Sequence, residues 1–370
     1  MKKLVHTPDG VRDIYGDEFK RKLAVEESIK KVIRLYGFDE IQTPTFEYFD
    51  VFSKEIGTTP SKDLYKFFDK EGDTLVLRPD FTPSIARCVA KYFDEETSPI
   101  RLSYLGNTFI NNTGLQGKLK EVTEIGCELM NEDSAESDAE LINLVIECLL
   151  SSGLKEFTIT LGHMEFFKGI CEAAGIDEET EMTLREAIST KNSFAAVEMI
   201  KNFDCTDSLK EQFKFAIDCG SDAGSVFGLK DKVSNERSKN ALLRLERVYE
   251  LLKAYGHENY VSFDLGILSK YNYYTGVIFK GYTYGLGDVL VKGGRYDRLL
   301  EAFGSSKPAV GFMIVIDDLM MALSRQHIEV PTENEKVIVK YNDINYGEKL
   351  KEIIKLRNEG KAVVPVKEHE

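Results

Sequence analysis

The feature that most constrains this chain is a series of short strand-like runs, several of them divided by gaps too short for helical crossovers. TLVLRP, PIRLSYLG, KEVTEIGCELM and FTITLG follow one another, with the helix-like stretch SDAELINLVIECLLSSG between the last two, and several neighbouring strands in the chain have turn-length or hairpin-length gaps. A parallel pair needs a crossover of a dozen or more residues, so this spacing predicts a mainly antiparallel sheet. YVSFDLGIL, TGVIFKGYT and DVLVKGG extend the strand pattern, and GFMIV leads into the helix-like IDDLMMALSRQ. Strands and helices in this arrangement place the fold in the α+β class.

Ahead of the sheet, Phe19, Leu23, Ile29, Val32, Ile33 and Tyr36 recur at helical spacing from Asp17 to Tyr36, with Gly37 placed to cap the helix. FDEIQTPTFEYF reads as a strand stopped near Pro44, because proline has no N–H to give a central ladder. Residues 166–255 differ in character: EETEMTLREAIS and SKNALLRLERVYELLKAYG are charged and helical, which predicts a helical insertion into a core formed by 1–165 and 256–328. Residues 329–370 supply KVIVKY, GEKLKEIIKLRNEG and KAVVPV, a strand-helix-strand unit too short for an independent core.

Composition narrows the function. Of 370 residues, 42% are hydrophobic and 30% charged, with 9 prolines, the profile of an ordered soluble protein. The N-terminal MKKLVHTPDGVRD lacks the apolar segment of a secretory signal, and no apolar run approaches the roughly 20 residues of a membrane span. Six cysteines, at 88, 127, 148, 171, 205 and 219, form no C-x-x-C pair, which points to reduced thiols and a cytoplasmic location. A net charge of −14 argues against a nucleic-acid partner, which usually requires a basic face to displace phosphate counterions. There is no Walker A sequence, no G-x-G-x-x-G and no H-E-x-x-H, and the five histidines are scattered, so no cofactor and no metal are expected.

Parity singles out one strand. In KEVTEIGCELM, Val122, Glu124, Gly126, Glu128 and Met130 share a face, opposite Thr123, Ile125, Cys127 and Leu129. That face either receives a cationic or hydrogen-bond-donating ligand over the glycine gap or is simply solvated. LVLRPDFTPSIAR places Arg78, Asp80, Thr82 and Arg87 just after a strand, where a carboxylate holds an amine or merely starts a helix. Tyr273 and Tyr274 point to opposite faces if extended, one toward the core and one over a pocket, or both are packing residues. GGRYDRLLEAFG reads as a glycine turn feeding a helix.

Taken in order, TPDGVRDIYG, GFDEIQTPTFE, LVLRPDFT, YLGNTFINNTGLQGKLKEVTEIGCEL, SKYNYYTGVIF, GGRYDRLLEAFG and AVGFMIVIDDL resemble histidyl-tRNA synthetase, from Thr7 to about Leu323. The resemblance implies a class II aminoacyl-tRNA synthetase-like antiparallel sheet flanked by helices. It also implies a histidine-like pocket in which Asp80 and Thr82 take the amine, Glu124 and Glu128 lie near the imidazole, and Tyr273 and Tyr274 line the walls. Three positions depart from it: Ile110, Ser269 and Asp318 stand where that family has the arginines of its ATP side. Losing one such fixed cation costs on the order of 10² to 10³ in rate. Asn112 and Thr113 neutralise the hairpin further, while Lys118 and Lys120 keep some positive charge.

This pattern, with the reduced C-terminal unit, is similar to the histidyl-tRNA synthetase-like regulatory subunits of ATP phosphoribosyltransferase. That resemblance implies a non-catalytic chain that self-associates as a class II dimer and joins a short catalytic subunit, HisG, in a hetero-octamer for the first step of histidine biosynthesis. Histidine would be the feedback effector, bound in the old substrate pocket or at the contact with HisG, and tRNA would not be a partner. The competing readings are an active or degenerate synthetase and a free-standing histidine-binding paralogue.

Overall fold

The computed structural model describes residues 5–52, 59–112, 118–217, 222–269, 274–332 and 336–368. From the N-terminus, α1 (Gly16–Leu35) leads to β1 (Asp39–Glu40) and β2 (Phe46–Tyr48), then to β3 (Lys66–Phe68), β4 (Thr74–Leu77) and α2 (Thr82–Tyr92). The hairpin of β5 (Ile100–Phe109) and β6 (Glu121–Met130) is followed by α3 (Ala135–Ser151) and β7 (Phe157–His163). A run of helices comes next: α4 (Met164–Ala173), α5 (Glu178–Ser189), α6 (Ser193–Lys201), α7 (Asp207–Ile217), α8 (Ala223–Phe227) and α9 (Glu236–Tyr255). The chain returns to the sheet through β8 (Val261–Phe263), β9 (Val277–Thr283), β10 (Val291–Arg295) and β11 (Ala309–Val315), then α10 (Ile316–Arg325). A terminal unit holds β12 (Val337–Tyr341), α11 (Tyr346–Asn358) and β13 (Val363–Lys367).

Among the described residues the main sheet has eight strands in the order β1-β5-β6-β11-β10-β9-β7-β8. Only the outer pairs, β1 with β5 and β7 with β8, are parallel, so the antiparallel expectation holds through the centre. The segment FDEIQTPTFEYF is not one strand. It is split around Pro44 into β1, on the edge of the main sheet, and β2, in a separate three-stranded sheet of order β2-β4-β3. TLVLRP forms the middle of that smaller sheet. GGRYDRLLEAFG does not open on a turn: Gly293 and Gly294 continue the strand run DVLVKGG into β10, which ends at Arg295, and the helix after them is a short 3-10 turn, Leu299–Phe303.

One face of the main sheet is covered by helices. Ile125, Cys127 and Leu129 of β6, Phe312 and Ile314 of β11, and Val277 and Phe279 of β9 pack there against Ile29 and Ile33 of α1 and Leu141 and Leu149 of α3. Each such side chain stabilises the fold by about 1.5–3 kcal/mol relative to an exposed one. Helix α3 is buried on nearly every side, which explains why its sequence is apolar almost all round. Phe166 and Phe167 of α4 and Leu245 and Leu252 of α9 join the same core, so the helical segment is continuous with the sheet's packing. The terminal unit has its own small cluster of Val339, Ile353 and Val363, beneath the parallel pair β12 and β13.

A carboxyl-lined cavity on the open face of the sheet

The register of the main sheet sets out the floor of the cavity row by row. Pairing across the strands aligns Leu102, Glu128, Gly311, Gly294, Ile278 and Gly162 in one row on the face away from the helices. One step along lies a second row: Tyr104, Gly126, Met313, Lys292, Lys280 and Thr160. Above this floor stand the start of α2 and the Leu268–Ser269 segment, enclosing a cavity of about 510 Å³. Gly311 is required here, because a Cβ at that position would overlap the Glu128 carboxylate that lies across it.

Glu128 is the fixed point of the site. Its Oε1 accepts a hydrogen bond from the Thr82 hydroxyl at 2.7 Å, and its Oε2 accepts one from the Tyr296 hydroxyl. Asp80 Oδ1 accepts the Thr82 N–H at 3.0 Å, so the Asp-x-Thr segment starts α2 and shapes the cavity at once. Tyr296 follows a buried ionic cluster in which Arg295 meets Asp138 of α3 at 2.7 Å and Asp297 at 3.0 Å. Asp297 in turn accepts the Thr275 hydroxyl at 2.9 Å, which ties the segment beside Tyr274 to the end of β10.

Glu124 and Glu128 are 4% and 1% exposed, so this face of β6 is not a solvated one. Both carboxyls are pushed up to about 8. For Glu124 burial is the main cause and repulsion from Asp80 adds to it, while Lys292 acts in the opposite sense. For Glu128 burial again dominates, opposed by the hydrogen bonds from Tyr296 and Thr82. Carboxyls balanced near neutrality exchange protons when a cationic or hydrogen-bond-donating ligand arrives. The Tyr274 hydroxyl is likewise pushed up, chiefly by burial.

The structure brings Asp80, Thr82, Glu124, Glu128 and Tyr274 to this one cavity, together with Ile110 and Ser269. Tyr273 and Thr113 lie outside the described residues. Asp318 does not line the cavity wall; it sits in the first turn of α10, its carboxyl raised mainly by burial. Its neighbour Asp317 is the structural residue, accepting the Thr123 N–H at 2.6 Å and pairing with Lys22 at 3.4 Å. The Gly126 gap does not admit a ligand, because the Tyr104 ring fills it, stacked on Phe81 at 4.3 Å. Arg78 is a clamp, bonded to the Asn107 and Thr43 carbonyls and lying over Phe81, and Arg87 pairs with Glu47. Lys118 is paired with Asp288 at 2.5 Å, and Lys120 reaches the Asn111 side chain at 3.4 Å.

Among the cavity residues that sequence reasoning missed are Tyr104, Tyr296, Lys280 and Lys292. Strict alternation in TGVIFKGYT and DVLVKGG would have placed both lysines opposite the buried Val277, Phe279 and Val291. Among the described residues no group of three or more His, Cys, Asp or Glu is placed to hold a metal ion. No helix among them is long and apolar enough to cross a membrane.

An antiparallel floor carrying paired carboxyls, flanked by helices and roofed by the start of α2, defines a class II aminoacyl-tRNA synthetase-like protein. The family model for histidyl-tRNA synthetase matches residues 10–319. An ATP phosphoribosyltransferase regulatory subunit from Acetivibrio thermocellus is 39% identical, over 97% of this chain and 86% of its own length. The crystal structure of an ATP phosphoribosyltransferase regulatory subunit/histidyl-tRNA synthetase from Bacillus halodurans aligns with a TM-score of 0.90 at 31% identity, covering 98% of this chain and 93% of that one. A histidyl-tRNA synthetase from Nostoc shares the fold, with a TM-score of 0.83 at 20% identity over 99% of this chain and 86% of that one. The chain belongs to the histidyl-tRNA synthetase-like family of ATP phosphoribosyltransferase regulatory subunits, and its role is regulatory, not catalytic.

Proposed function

We propose that this chain works with the short catalytic subunit HisG in the cytoplasm, as a dimer within a hetero-octamer, and that its cavity senses histidine for feedback control. One observation carries the reading: the same cavity holds a satisfied Thr82–Glu128–Tyr296 network beside Asp80, and its wall has Ile110 and Ser269 at the positions where the resemblance implies arginines able to stabilise a transferring phosphoryl group. Glu128 and Asp80 suit a ligand that offers an amine and a ring N–H, as histidine does. Regulation then requires histidine to bind one state of the assembly better than the other, by roughly 1–3 kcal/mol for a several-fold to hundredfold effect. Neither tRNA nor a metal has a part in this scheme.

The test is phosphoribosyl-ATP formation by purified HisG, alone and with this protein, across a histidine titration. Activity that needs both chains and falls with histidine is the expected result. Activity of HisG alone that this chain leaves unchanged would end the reading, as would robust charging of tRNA by this chain.

A further inference from the structure

The floor of the cavity carries a pair of lysines that the regulatory reading does not use. Lys280 of β9 and Lys292 of β10 lie directly opposite each other in the ladder, on the cavity side of the sheet, and both line the cavity. Like charges placed directly across a strand pair destabilise a sheet, and Lys280 is only partly exposed. Among the described residues neither lysine makes a hydrogen bond or an ion pair. Of the nearby acids, Asp264 pairs with Lys191 at 2.8 Å and Asp288 with Lys118 at 2.5 Å, while Glu124 and Asp318 feel the charge of Lys292 without bonding to it. In a chain of net charge −14, two adjacent cations lining a cavity, Lys280 half-buried and Lys292 exposed at its rim, are a local exception to the prevailing sign.

The register sets Lys292 in the Gly126 row, between the rows of Glu124 and Glu128, and Glu124 feels its charge. Lys292 stands two strands from Glu128 and one two-residue step along, across a floor kept low by Gly311 and Gly294. With strands about 4.8 Å apart and about 3.4 Å per residue, the backbone offset is roughly 12 Å, and two lysine side chains reach back across it. Burial and the charge of Lys292 both depress the Lys280 ammonium, and a bound anion would relieve the second of these.

We propose that Lys280 and Lys292 form an anion subsite of the cavity, holding a carboxylate or phosphate group. The subsite stands on the lysine pair itself; its use by the carboxylate of an amino acid seated at Glu128 rests on the histidine-sensing reading. The alternative source is a separate phosphate or pyrophosphate group, with its amino-acid neighbour bound independently.

Calorimetry on the full chain distinguishes the sources, with L-histidine, L-histidinol (which lacks the carboxylate) and inorganic pyrophosphate as probes. Lys280→Met, Lys292→Met and the double variant are compared with the wild type. The double variant is expected to weaken at least one anionic probe by about tenfold or more, as for a lost charge-assisted hydrogen bond, while histidinol binds unchanged. Loss confined to L-histidine assigns the subsite to the ligand's carboxylate; loss confined to pyrophosphate assigns it to a separate phosphate. Pyrophosphate binding that depends on the lysines, with no histidine binding at all, keeps the subsite and ends the sensing reading. L-histidine that binds wild type and double variant alike, with no pyrophosphate binding, overturns the subsite and leaves the sensing reading standing. Absence of binding by every probe overturns both. Should the Met variants fail to fold, the wild type decides: equal affinity for L-histidine and histidinol, with no pyrophosphate binding, sinks the proposal. Thermal melts supply the folding control, and the double variant is expected to melt no lower than wild type without ligand, since a like-charge pair has been removed.

Discussion

The two ends of the cavity are built differently. Near α2, Glu128 is held on both oxygens by Thr82 and Tyr296, and Tyr296 is itself anchored through Arg295 to Asp138 in the helical layer. Near β9 and β10, Lys280 and Lys292 rise from the sheet with no protein carboxylate bonded to them among the described residues. The first end is an extension of the core, so a change there disturbs packing and hydrogen bonds that the fold depends on. The second end consists of side chains on the open face of strands, which can change while the buried alternate residues stay in place. A fold of this kind can lose a chemical function at one end and retain recognition at the other.

Gly311→Ala should break the first end most severely. Its Cβ would meet the Glu128 carboxylate and the Cys127 carbonyl, so about 1–3 kcal/mol of stability should be lost with the ligand site, read by urea denaturation and calorimetry. Glu128→Gln keeps the shape and removes a carboxyl that can give up its proton to a ligand. About tenfold weaker histidine binding is expected, together with a shifted inhibition curve in the mixture with HisG. An unchanged curve would place the sensor away from this cavity. Tyr296→Phe deletes one donor to Glu128 and should cost about 1 kcal/mol, seen as a roughly fivefold change in affinity, with the Glu128 carboxyl raised further.

A pH dependence is also expected. Glu124 and Glu128 hold their protons more tightly folded than unfolded, so from the ordinary carboxylate range up to about 8 the folded state binds more protons. Stability should therefore be fully supported in acid, fall as pH rises through that window, and level off above it. Melting of the ligand-free chain across that range checks this, and Glu124→Gln should flatten the slope. A stability that rises with pH, with the same variant leaving the slope unchanged, would contradict the burial of these carboxyls as the controlling feature.

Much of this architecture was legible in the chain itself. Alternation in KEVTEIGCELM put Glu124, Gly126 and Glu128 on one face, and the first helix and the antiparallel centre of the sheet follow from spacing and periodicity. What occupies the glycine gap was not legible, because Tyr104 reaches Gly126 only through the pairing of β5 with β6, and Gly311 meets Glu128 only through pairing with β11. GGRYDRL was misread for a definite reason. Glycine usually punctuates, but Gly293 lies in a strand because the Phe279 ring and the Gly311 carbonyl leave no space for a side chain. Lys280 and Lys292 look like any solvated alternate positions until the neighbouring strands and the roof are in place. Legibility was highest where local pattern decides and lowest where long-range register decides.

The pairing of β6 with β11 has a consequence for how the protein is made. Glu128 leaves the ribosome early, whereas Gly311, on which its side chain rests, follows only after the whole succession of helices from α4 to α9 has been synthesised. A nascent chain stopped at α9 carries the acidic half of the pocket without the strand that completes it. Recognition of an effector is thus acquired near the end of translation, and a ligand that stabilises the finished cavity would favour full-length chains over truncated ones.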